Sequence, residues 1–435
     1  MSFWFELGFA SNPYIVKPLP STKEGRDLLV GREPDLRSLL RRVEEGDTHV
    51  VVEGPNGVGK TSLVAVAAWV AGERFRRRET RQLFVPLPEP LQIKEDADEF
   101  ISDCYFAIAR AFLDNEDTLR RADRRIPKSR DIRRWLDSPM LGGKGLTIST
   151  PWGGGGVSGS ATANSSAGFS GAGFKATIRT WLREAFPEGT GGLVGVIDNL
   201  ELLETSDAAR RLLEEIRDPV LQLSGMRWVL CGARGIARSV ATTPRLNGVL
   251  SDPIEVAPVD HQYIPDLIEA RLRQYSIRTP SRPPVSSSSF EHVYEVSHKN
   301  LRDSLRHAQS FAAAYEADFF LAKNDEQVHE SFIEWLQNLA VENERSVKMQ
   351  PRTWRLLDDL ASSGGTCSPS DFDSFGFNDR AHMRKNVVEL ERYSLVISSK
   401  DDDDQRRRSI EITSKGWLVH YARAEGLSAP SIPGL

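Results

Sequence analysis

The segment from Gly54 to Thr61 constrains this chain most, because GPNGVGKT carries glycine, lysine and threonine at every fixed position of the pattern G-x-x-x-x-G-K-[ST]. The residues before it, His49 to Glu53, are HVVVE and predict a buried strand. The residues after it, Ser62 to Val70, are SLVAVAAWV and predict a helix with an apolar face. A strand, a glycine-rich turn and a helix in this order predict an α/β unit whose turn holds a phosphate group.

Each residue type in this loop, known as the Walker A motif, has a physical task in binding a nucleotide. Glycines allow backbone N–H groups to surround the phosphate oxygens, and the following helix points the positive end of its dipole at the same anion. Lys60 is expected to reach the β- and γ-phosphates, and the Thr61 hydroxyl to complete the shell of a Mg²⁺ ion. A chance match is the alternative, and the flanking strand and helix argue against it. The predicted nucleotide-binding residues of the loop are Gly54, Pro55, Asn56, Gly57, Val58, Gly59, Lys60, Thr61 and Ser62.

The composition limits the class of protein. A chain of 435 residues with 40% hydrophobic content is long enough for two or three domains with packed cores. Its three cysteines, Cys104, Cys231 and Cys367, form no metal-binding spacing, which favours a reducing compartment and a cytoplasmic protein. No stretch approaches the roughly 20 apolar residues of a membrane span, and Met1 to Ala10 does not resemble a secretory signal. The net charge of −5 argues against a coating of basic residues, so contact with nucleic acid requires a local patch.

Alternating strand and helix patterns over residues 28–257 predict an α/β P-loop core with a parallel sheet covered by helices on both faces. Residues 1–27 precede it as an extended arm. Helical spacing of apolar residues predicts a lead-in helix over Leu28–Val43 and another helix over Ala97–Asp114. The further predicted elements are strands at Leu83–Leu87, Leu193–Ile197 and Arg227–Cys231 and a helix at Ala208–Leu223.

Gly, Ser, Ala and Thr dominate residues 142–174, an insert that lacks the apolar residues for a core of its own. Leu146 to Ser149 alternates like half of a β-hairpin, so the insert is predicted to be a flexible hairpin. A surface loop is the more common explanation for such a composition.

Two further units follow the core. Residues 258–345 are mostly helical, interrupted by the Pro- and Ser-rich Thr279–Ser289, and predict a helical lid. Residues 346–425 predict three helices and a hairpin, the order of the winged-helix variant of helix-turn-helix, before a tail over 426–435. The predicted elements of the winged helix are helices at Arg352–Ala361, Pro369–Phe375 and Asp379–Tyr393 and strands at Leu395–Ile397 and Ser409–Ile412.

An acidic residue after an apolar strand supplies the second half of the nucleotide site. Leu193 to Ile197 is followed by Asp198, which we assign to the Mg²⁺ shell as the Walker B aspartate. The next residue is Asn199, and an amide can position a water molecule but cannot accept its proton at neutral pH. Either Glu201, the nearest further acid, acts as general base, or hydrolysis is slow and the protein acts as a nucleotide-gated switch.

These motifs resemble those of AAA+ and STAND P-loop ATPases, in a layout similar to that of the origin-recognition initiators of archaea and eukaryotes. Val30-Gly31-Arg32-Glu33 resembles the GRE box of those families, which implies that Gly31 and Arg32 help to line an adenine pocket and that ATP is the nucleotide. AAA+ enzymes usually have Asp-Glu where this chain has Asp198-Asn199. The resemblance covers most of the chain except the Gly-rich insert, where related ATPases place pore loops or DNA-contacting elements.

Three arginines match positions that sense or contact the γ-phosphate in the related ATPases. Leu230 to Arg234 resembles the sensor 1 segment, and its Gly-x-Arg ending is typical of STAND proteins. Arg245 lies where AAA+ proteins keep the arginine finger that reaches a neighbouring subunit. Lys299 to Leu305 resembles the sensor 2 helix of the lid and contains Arg302. A surface arginine in a salt bridge is the alternative at each position.

The predicted recognition helix, Asp379–Tyr393, carries basic residues that suit a major groove. The hairpin after it adds basic residues for phosphate contacts and also the acidic run Asp401–Asp404, which DNA would repel. The winged helix is therefore predicted to bind duplex DNA, with docking on a protein, as in many STAND signalling proteins, as the alternative. The predicted DNA contacts are Arg380, Arg384, Lys385, Arg406, Arg407 and Arg408.

The sequence thus predicts an ATP-binding, slowly hydrolysing AAA+/STAND ATPase that couples nucleotide state to self-assembly and to duplex DNA binding. The alternative is a STAND-type signalling or antiviral-defence switch whose winged helix binds a protein partner. A P-loop kinase acting on a small molecule shares Gly54–Thr61 but leaves the lid, the arginines and the winged helix unexplained. We expect ATP or ADP with Mg²⁺ as ligands, a homo-oligomer, and no membrane association.

Overall fold

A parallel sheet forms the centre of the protein in the computed structural model, which describes residues 3–126, 171–200, 206–233, 243–315, 324–400 and 408–427. Its strands are β1 Val50–Glu53, β2 Leu83–Pro86, β3 Leu91–Gln92, β4 Gly191–Asp198, β5 Met226–Gly232 and β6 Ile254–Glu255. They pair in the order β2–β4–β5–β1–β6, and β3 pairs with the last two residues of β4. Because β5 lies between β1 and β4, the loop after β1 and the end of β4 face each other across one strand at the carboxyl edge of the sheet.

Helices cover both faces of this sheet, as the sequence predicts. The helices up to this point of the chain are α1 Phe3–Glu6, α2 Lys23–Leu28, α3 Glu33–Glu45, α4 Lys60–Arg76, α5 Ala97–Asp114, α6 Glu116–Arg121, α7 Gly171–Ala185 and α8 Ser206–Ile216, of which α1 packs against the lid. Val50 and Val52 of β1 point to one face, where they share a core with Leu63 of α4. Val51 points to the other face and shares a core with Trp181 of α7. Side chains of a strand alternate between faces, so a run of apolar residues is what a doubly covered strand requires.

The core differs from the prediction in three places. The lead-in helix predicted over Leu28–Val43 is α3, which begins only at Glu33. The helix predicted over Ala208–Leu223 is α8 followed by a π-helical turn over Arg217–Leu221. Pro219 lies in that turn and has no backbone N–H to continue an α-helix. Gly171 to Gly173 belong to the predicted Gly-rich insert but begin α7, whose buried residues Phe174, Ile178 and Trp181 recur at helical spacing. Residues 142–170, with the predicted hairpin at Leu146–Ser149, lie outside the described residues.

Four helices form the lid that follows the core: α9 Ile264–Tyr275, α10 Ser287–Val296, α11 Leu301–Ala314 and α12 Asp325–Arg345. Polar caps define where three of them begin, since Ser286, Asn300 and Asn324 each accept a hydrogen bond from a backbone N–H of the first turn. Their apolar faces enclose a core that contains Phe311 and Phe332. The lid is therefore a helical unit with its own hydrophobic core.

A winged helix follows the lid, which confirms the predicted C-terminal fold. Its elements are α13 Pro351–Ser362, β7 Thr366–Cys367, a 3₁₀ turn Pro369–Asp371, α14 Arg380–Arg392, β8 Val396–Lys400, β9 Arg408–Ile412 and α15 Ser414–Ala424. The strands form an antiparallel sheet in the order β7–β9–β8. The helix predicted at Pro369–Phe375 is only the 3₁₀ turn, which a capping box between Ser368 and Asp371 stabilises. The Trp417 ring of α15 stacks on His298 of the lid at 3.9 Å, so the two units are in contact.

The N-terminal arm packs against the lid. Leu7 and Phe9 are buried and form a small core with Val328 of α12, and Tyr14 lies in the lid core. The arm contains the short helices α1 and α2, where the sequence predicts an extended segment. Across the described ranges, no helix is long and apolar enough to cross a membrane.

Candidate nucleotide-binding site

The loop between β1 and α4 has the backbone that a phosphate-binding loop requires. Gly57 and Gly59 have φ angles of 80° and 99°, in the left-handed region that favours glycine. Helix α4 begins at Lys60, so its first N–H groups point into the loop. Lys60 is buried, and its ammonium group donates to the carbonyl oxygens of Gly54 at 2.8 Å and Pro55 at 3.2 Å. An ammonium group has three donors, so one remains for a phosphate oxygen.

Thr61 and Asp198 meet at the carboxyl edge of the sheet. The Thr61 hydroxyl donates to Oδ2 of Asp198 at 2.7 Å, and the backbone N–H of Asn199 donates to Oδ1 at 3.0 Å. Both residues are buried, since Thr61 is 9% exposed and Asp198 is 6% exposed. A hydroxyl and a carboxylate side by side fit Mg²⁺, which takes oxygen ligands and usually binds through one or two protein groups plus phosphates. The described residues contain no group of three or more His, Cys, Asp or Glu that could hold a metal ion.

Asn199 holds a backbone conformation that is uncommon for residues other than glycine. Its φ is 59°, and asparagine is one of the side chains that tolerates this region. The side-chain amide donates to Oε1 of Gln92 in β3 at 2.6 Å. Asn199 lies in the same cleft as Lys60 and Asp198. Glu201, the predicted general base, lies outside the described residues.

The lid contacts the P-loop directly. The Asn300 side chain caps α11 and also donates to the carbonyl oxygen of Asn56 at 3.1 Å. The backbone N–H of Arg302 donates to the carbonyl oxygen of Gly57 at 3.2 Å. A Cβ atom at Gly57 would lie 2.2 Å from Oδ1 of Asn300, so the close approach needs glycine there. These contacts place Arg302, the predicted sensor 2 residue, in the cleft with Lys60 and Asp198.

Two adjoining clefts form the site. The first is lined by the P-loop, Asp198, Asn199 and Arg302, and we call it the phosphate cleft. The second is lined mainly by apolar residues of the arm, the lead-in segment and the lid, and we call it the base cleft. Gly59, Ser62, Arg271 and Leu301 line both. A charged cleft that continues into an apolar one matches the two halves of a nucleotide.

Arg32 of the GRE segment forms a hydrogen bond with the P-loop. Arg32 is 6% exposed and donates to the carbonyl oxygens of Val58 at 2.8 Å and Ala257 at 2.6 Å and to Asp35 at 3.0 Å. Gly31 has a φ of 73°, and a Cβ atom there would lie 2.8 Å from the Tyr263 side chain. Arg32 also lines the base cleft. Its hydrogen bonds tie the lead-in segment, the P-loop and the start of the lid together.

Arg245, the predicted arginine finger, does not line the cleft. Arg245 has 76% of its side chain exposed and lies 3.3 Å from Glu214. Its predicted role, contact with a neighbouring subunit, requires exposure. Arg234 lies outside the described residues.

Two of the predicted DNA contacts, Arg380 and Lys385, lie on the exposed side of α14. Arg380 and Lys385 are exposed on α14, whereas Arg384 donates to Glu391 at 3.1 Å and to Ser398 at 3.3 Å. Arg408 lies in β9. Arg406 and Arg407 lie outside the described residues. Two of the predicted contacts are thus exposed, and Arg384 already has partners within the domain.

Several residues that line the two clefts belong to none of the sequence motifs. Val16, Lys17 and Pro18 of the arm line the phosphate cleft, and Arg271 of α9 lines both clefts. Nothing in the arm's composition marks these residues as part of a site. Asn300 carries a usable signal, because asparagine directly before an apolar helix is a typical N-cap.

Comparisons with family models and with curated proteins find no match. Among solved structures, the chain is similar over nearly its full length to three archaeal proteins. The ORC1 protein of Aeropyrum pernix in complex with DNA is 13% identical, with a TM-score of 0.44 and coverage of 95% of this chain and 96% of that one. The Aeropyrum pernix ORC2 protein in its ADP form is 12% identical, with a TM-score of 0.46 and coverage of 97% and 100%. A Walker-type ATPase of Pyrococcus abyssi is 13% identical, with a TM-score of 0.45 and coverage of 94% and 99%.

Proposed function

We propose that this protein is an ATP-binding AAA+/STAND-type ATPase that couples its nucleotide state to self-assembly and to duplex DNA binding. One observation carries the proposal: Lys60, the Thr61–Asp198 pair and Arg302 converge on one cleft from the P-loop, β4 and the lid. A phosphate chain in that cleft meets cations from two structural units. Mg²⁺ held by Thr61 and Asp198 supplies neutralisation of the charge on the β- and γ-phosphates.

Slow hydrolysis is the second part of the proposal. Asn199 follows the aspartate at the position where an acid would accept a proton from water, and an amide cannot do so at neutral pH. Its amide is also bonded to Gln92, which fixes its orientation. In this proposal Asn199 orients the water molecule, Glu201 is the general base, and Arg234 and Arg302 sense the γ-phosphate.

Coupling to the winged helix runs through α11. Its first turn contacts the P-loop through Asn300 and Arg302, and Arg306 on the same helix donates to Ser414 of the winged helix at 2.9 Å. A change in the phosphates bound at the P-loop is therefore proposed to reach the winged helix through α11.

The exposed basic residues are proposed to contact two partners, duplex DNA and a second copy of the chain. Arg380 and Lys385 on α14 are proposed to contact DNA phosphates, with Arg384 and Arg406 to Arg408 beside them. Arg245 is proposed to reach the nucleotide of a second copy in a homo-oligomer. A reducing, cytoplasmic location is proposed from the spacing of the three cysteines, of which Cys104 and Cys231 are buried.

The alternative, a signalling or antiviral-defence switch whose winged helix binds protein, has one observation in its favour. Val388 on α14 and Ile397 on β8 are 48% and 60% exposed, and exposed apolar side chains suit a protein partner more than a phosphate backbone. The Arg384–Glu391 pair also lowers the net positive charge of this surface.

An ATPase assay with and without duplex DNA, across a salt series, separates the two. DNA binding through phosphate contacts predicts turnover that responds to DNA and an affinity that falls steeply with salt. Sizing of the protein in ATP and in ADP tests assembly in parallel. Assembly in ATP that is indifferent to DNA would replace the leading proposal by the protein-binding switch.

A further inference from the structure

A short segment of the N-terminal arm, Val16 to Leu19, runs along both clefts of the candidate site, and we call it the strap. Val16, Lys17 and Pro18 line the phosphate cleft, and Leu19 lines the base cleft. Within four residues, the strap places an apolar side chain beside the cleft for the base and a cation beside the cleft for the phosphates. The base and the phosphate chain of a nucleotide would therefore each lie beside a strap residue of matching chemistry.

Hydrogen bonds hold the strap on the side of the core, and the three residues directly before it, Pro13 to Ile15, on the side of the lid. On the side of the core, the Leu19 backbone N–H donates to the Ser62 hydroxyl of α4 at 3.0 Å. On the side of the lid, the Tyr14 hydroxyl donates to the carbonyl oxygen of Val285 at 2.5 Å. Nη1 of Arg271 donates to the carbonyl oxygens of Pro13 at 3.2 Å and Ile15 at 3.1 Å. The strap is thus positioned by the P-loop helix and the lid together.

Arg271 has hydrogen-bonding capacity left over. It is only 5% exposed, and its Nε is buried without a hydrogen-bond partner among the described residues. Burial lowers the pKa of Arg271 to about 10, so the guanidinium group remains protonated at pH 7. A buried donor without a partner costs free energy, and this one belongs to a residue that lines both clefts.

The charge of the phosphate cleft exceeds what the P-loop alone provides. Four of its lining residues are cations, and Asp198 is the one acid among the lining residues described. The four cations are Lys17, Lys60, Arg271 and Arg302. A nucleoside triphosphate carries several negative charges along its chain, whereas a monophosphate ends at the α-phosphate. Four cations in one cleft therefore favour a nucleoside triphosphate over a monophosphate.

We propose that Lys17 is a further phosphate-binding residue of the nucleotide site, and that Arg271 positions it by holding the strap against the clefts. The inference deepens the proposed ATP-binding function and rests on it. Lys17 is predicted to distinguish nucleoside triphosphates from monophosphates, because its contact is with the phosphate chain and not with the base.

Calorimetric titration with ATP and with AMP, each with Mg²⁺, tests this directly. Lys17→Ala is expected to weaken ATP binding about tenfold and to leave AMP binding unchanged. Lys17→Arg keeps the charge and is expected to retain most of the ATP affinity. Lys23→Ala, on an exposed lysine at the start of α2, is the matched control and is expected to bind both nucleotides like the wild type.

Hydrogen exchange gives a second readout for the positioning role of Arg271. The Leu19 amide is bonded to Ser62, so its exchange reports opening of the strap. ATP is expected to slow this exchange more than AMP does in the wild type, and Arg271→Lys is expected to remove the difference.

Three outcomes would overturn the inference. If Lys17→Ala binds ATP like the wild type while Lys60→Ala does not bind it, the strap lysine has no role and the ATP site stands. If Lys17→Ala loses ATP and AMP affinity equally, Lys17 acts on the fold of the arm and not on the phosphates. If the wild type binds no nucleotide, the proposed function fails together with the inference.

Discussion

Thr61 and Asp198 are separated by 137 positions in the chain, and the Thr61 hydroxyl donates a 2.7 Å hydrogen bond to the Asp198 carboxylate. The bond joins the first turn of α4 to the last residue of β4 across the intervening strand β5. Both side chains are buried, so the pair lies where water is largely excluded. An oxygen pair of this kind is what Mg²⁺ takes from a protein when phosphates supply further ligands. The P-loop and the end of β4 therefore belong to one site.

Replacement of Asn199 by glutamate is expected to raise ATP turnover by about tenfold or more, because the carboxylate can accept a proton from water where the amide cannot. Single-turnover kinetics at pH 7 measure the chemical step. Asn199→Gln is the matched control, because glutamine has the side-chain length of glutamate without its charge. Its turnover is expected to stay at or below the wild-type rate. Equal rates for the two variants would mean that the missing carboxylate at position 199 is not what limits hydrolysis.

Removal of the Arg302 side chain is expected to reduce the preference for ATP over ADP by about tenfold, because a charge-assisted hydrogen bond to the γ-phosphate is lost only with ATP. Competition binding with the two nucleotides gives the ratio. Arg273→Ala, on an exposed arginine of α9, is the control and should leave the ratio unchanged. An unchanged ratio in Arg302→Ala would remove this residue from the site.

Stability is expected to fall as the pH is lowered from about 6.5 towards 4. Burial lowers the pKa of His307 in the lid to about 4, below its value of about 6.5 in the unfolded chain, so the unfolded state binds more protons in this range. His49 in the core behaves alike, with its pKa lowered to about 4. The 2.5-unit difference corresponds to about 3 kcal/mol for each group at most.

The variant His307→Leu isolates one of these groups. Nε2 of His307 is buried without a hydrogen-bond partner among the described residues, so an apolar side chain removes both the titration and an unsatisfied atom. Thermal unfolding at pH 7.5, 6 and 5 should show a shallower loss of stability than in the wild type. His382→Leu, an exposed histidine of α14, serves as control. A loss as steep as that of the wild type would contradict the assignment.

On the winged helix, the double change of Arg380 and Lys385 to alanine is expected to weaken duplex DNA binding similarly for all sequences. Each phosphate contact removed should lower the slope of log affinity against log salt by about one unit. Fluorescence anisotropy across a salt series measures both quantities. Arg37→Ala, an exposed arginine of α3, should change neither. An unaltered slope in the double variant would favour the protein-docking alternative.

The sequence predicts the parts of this fold that depend on local patterns. The apolar runs in β1 and β4 and the glycines of the P-loop specify their own conformation within a few residues. The winged helix is likewise predicted from the order of its elements, although the wing strands extend one to three residues beyond their predicted bounds. The position of β5 between β1 and β4 is different, because no local pattern encodes the order of strands in a sheet.

The parts of the site that sequence reasoning misses are those formed by distant contacts. Val16 to Leu19 has neither the alternation of a strand nor the spacing of a helix. Its place beside the clefts depends on distant contacts, such as those of Leu19 with Ser62 and of Ile15 with Arg271. Arg271 itself resembles any polar residue of an amphipathic helix. Its burial follows from the arm lying over α9, which is a tertiary effect.

Titration of the protein with ATP, with and without Mg²⁺, tests the central claim that the P-loop and Asp198 form one Mg-ATP site. The wild type is expected to bind ATP more tightly when Mg²⁺ is present. Asp198→Asn is expected to bind ATP without that gain, and Lys60→Ala to lose at least tenfold in affinity in both conditions. ATP affinity at the wild-type level in Lys60→Ala would contradict the account.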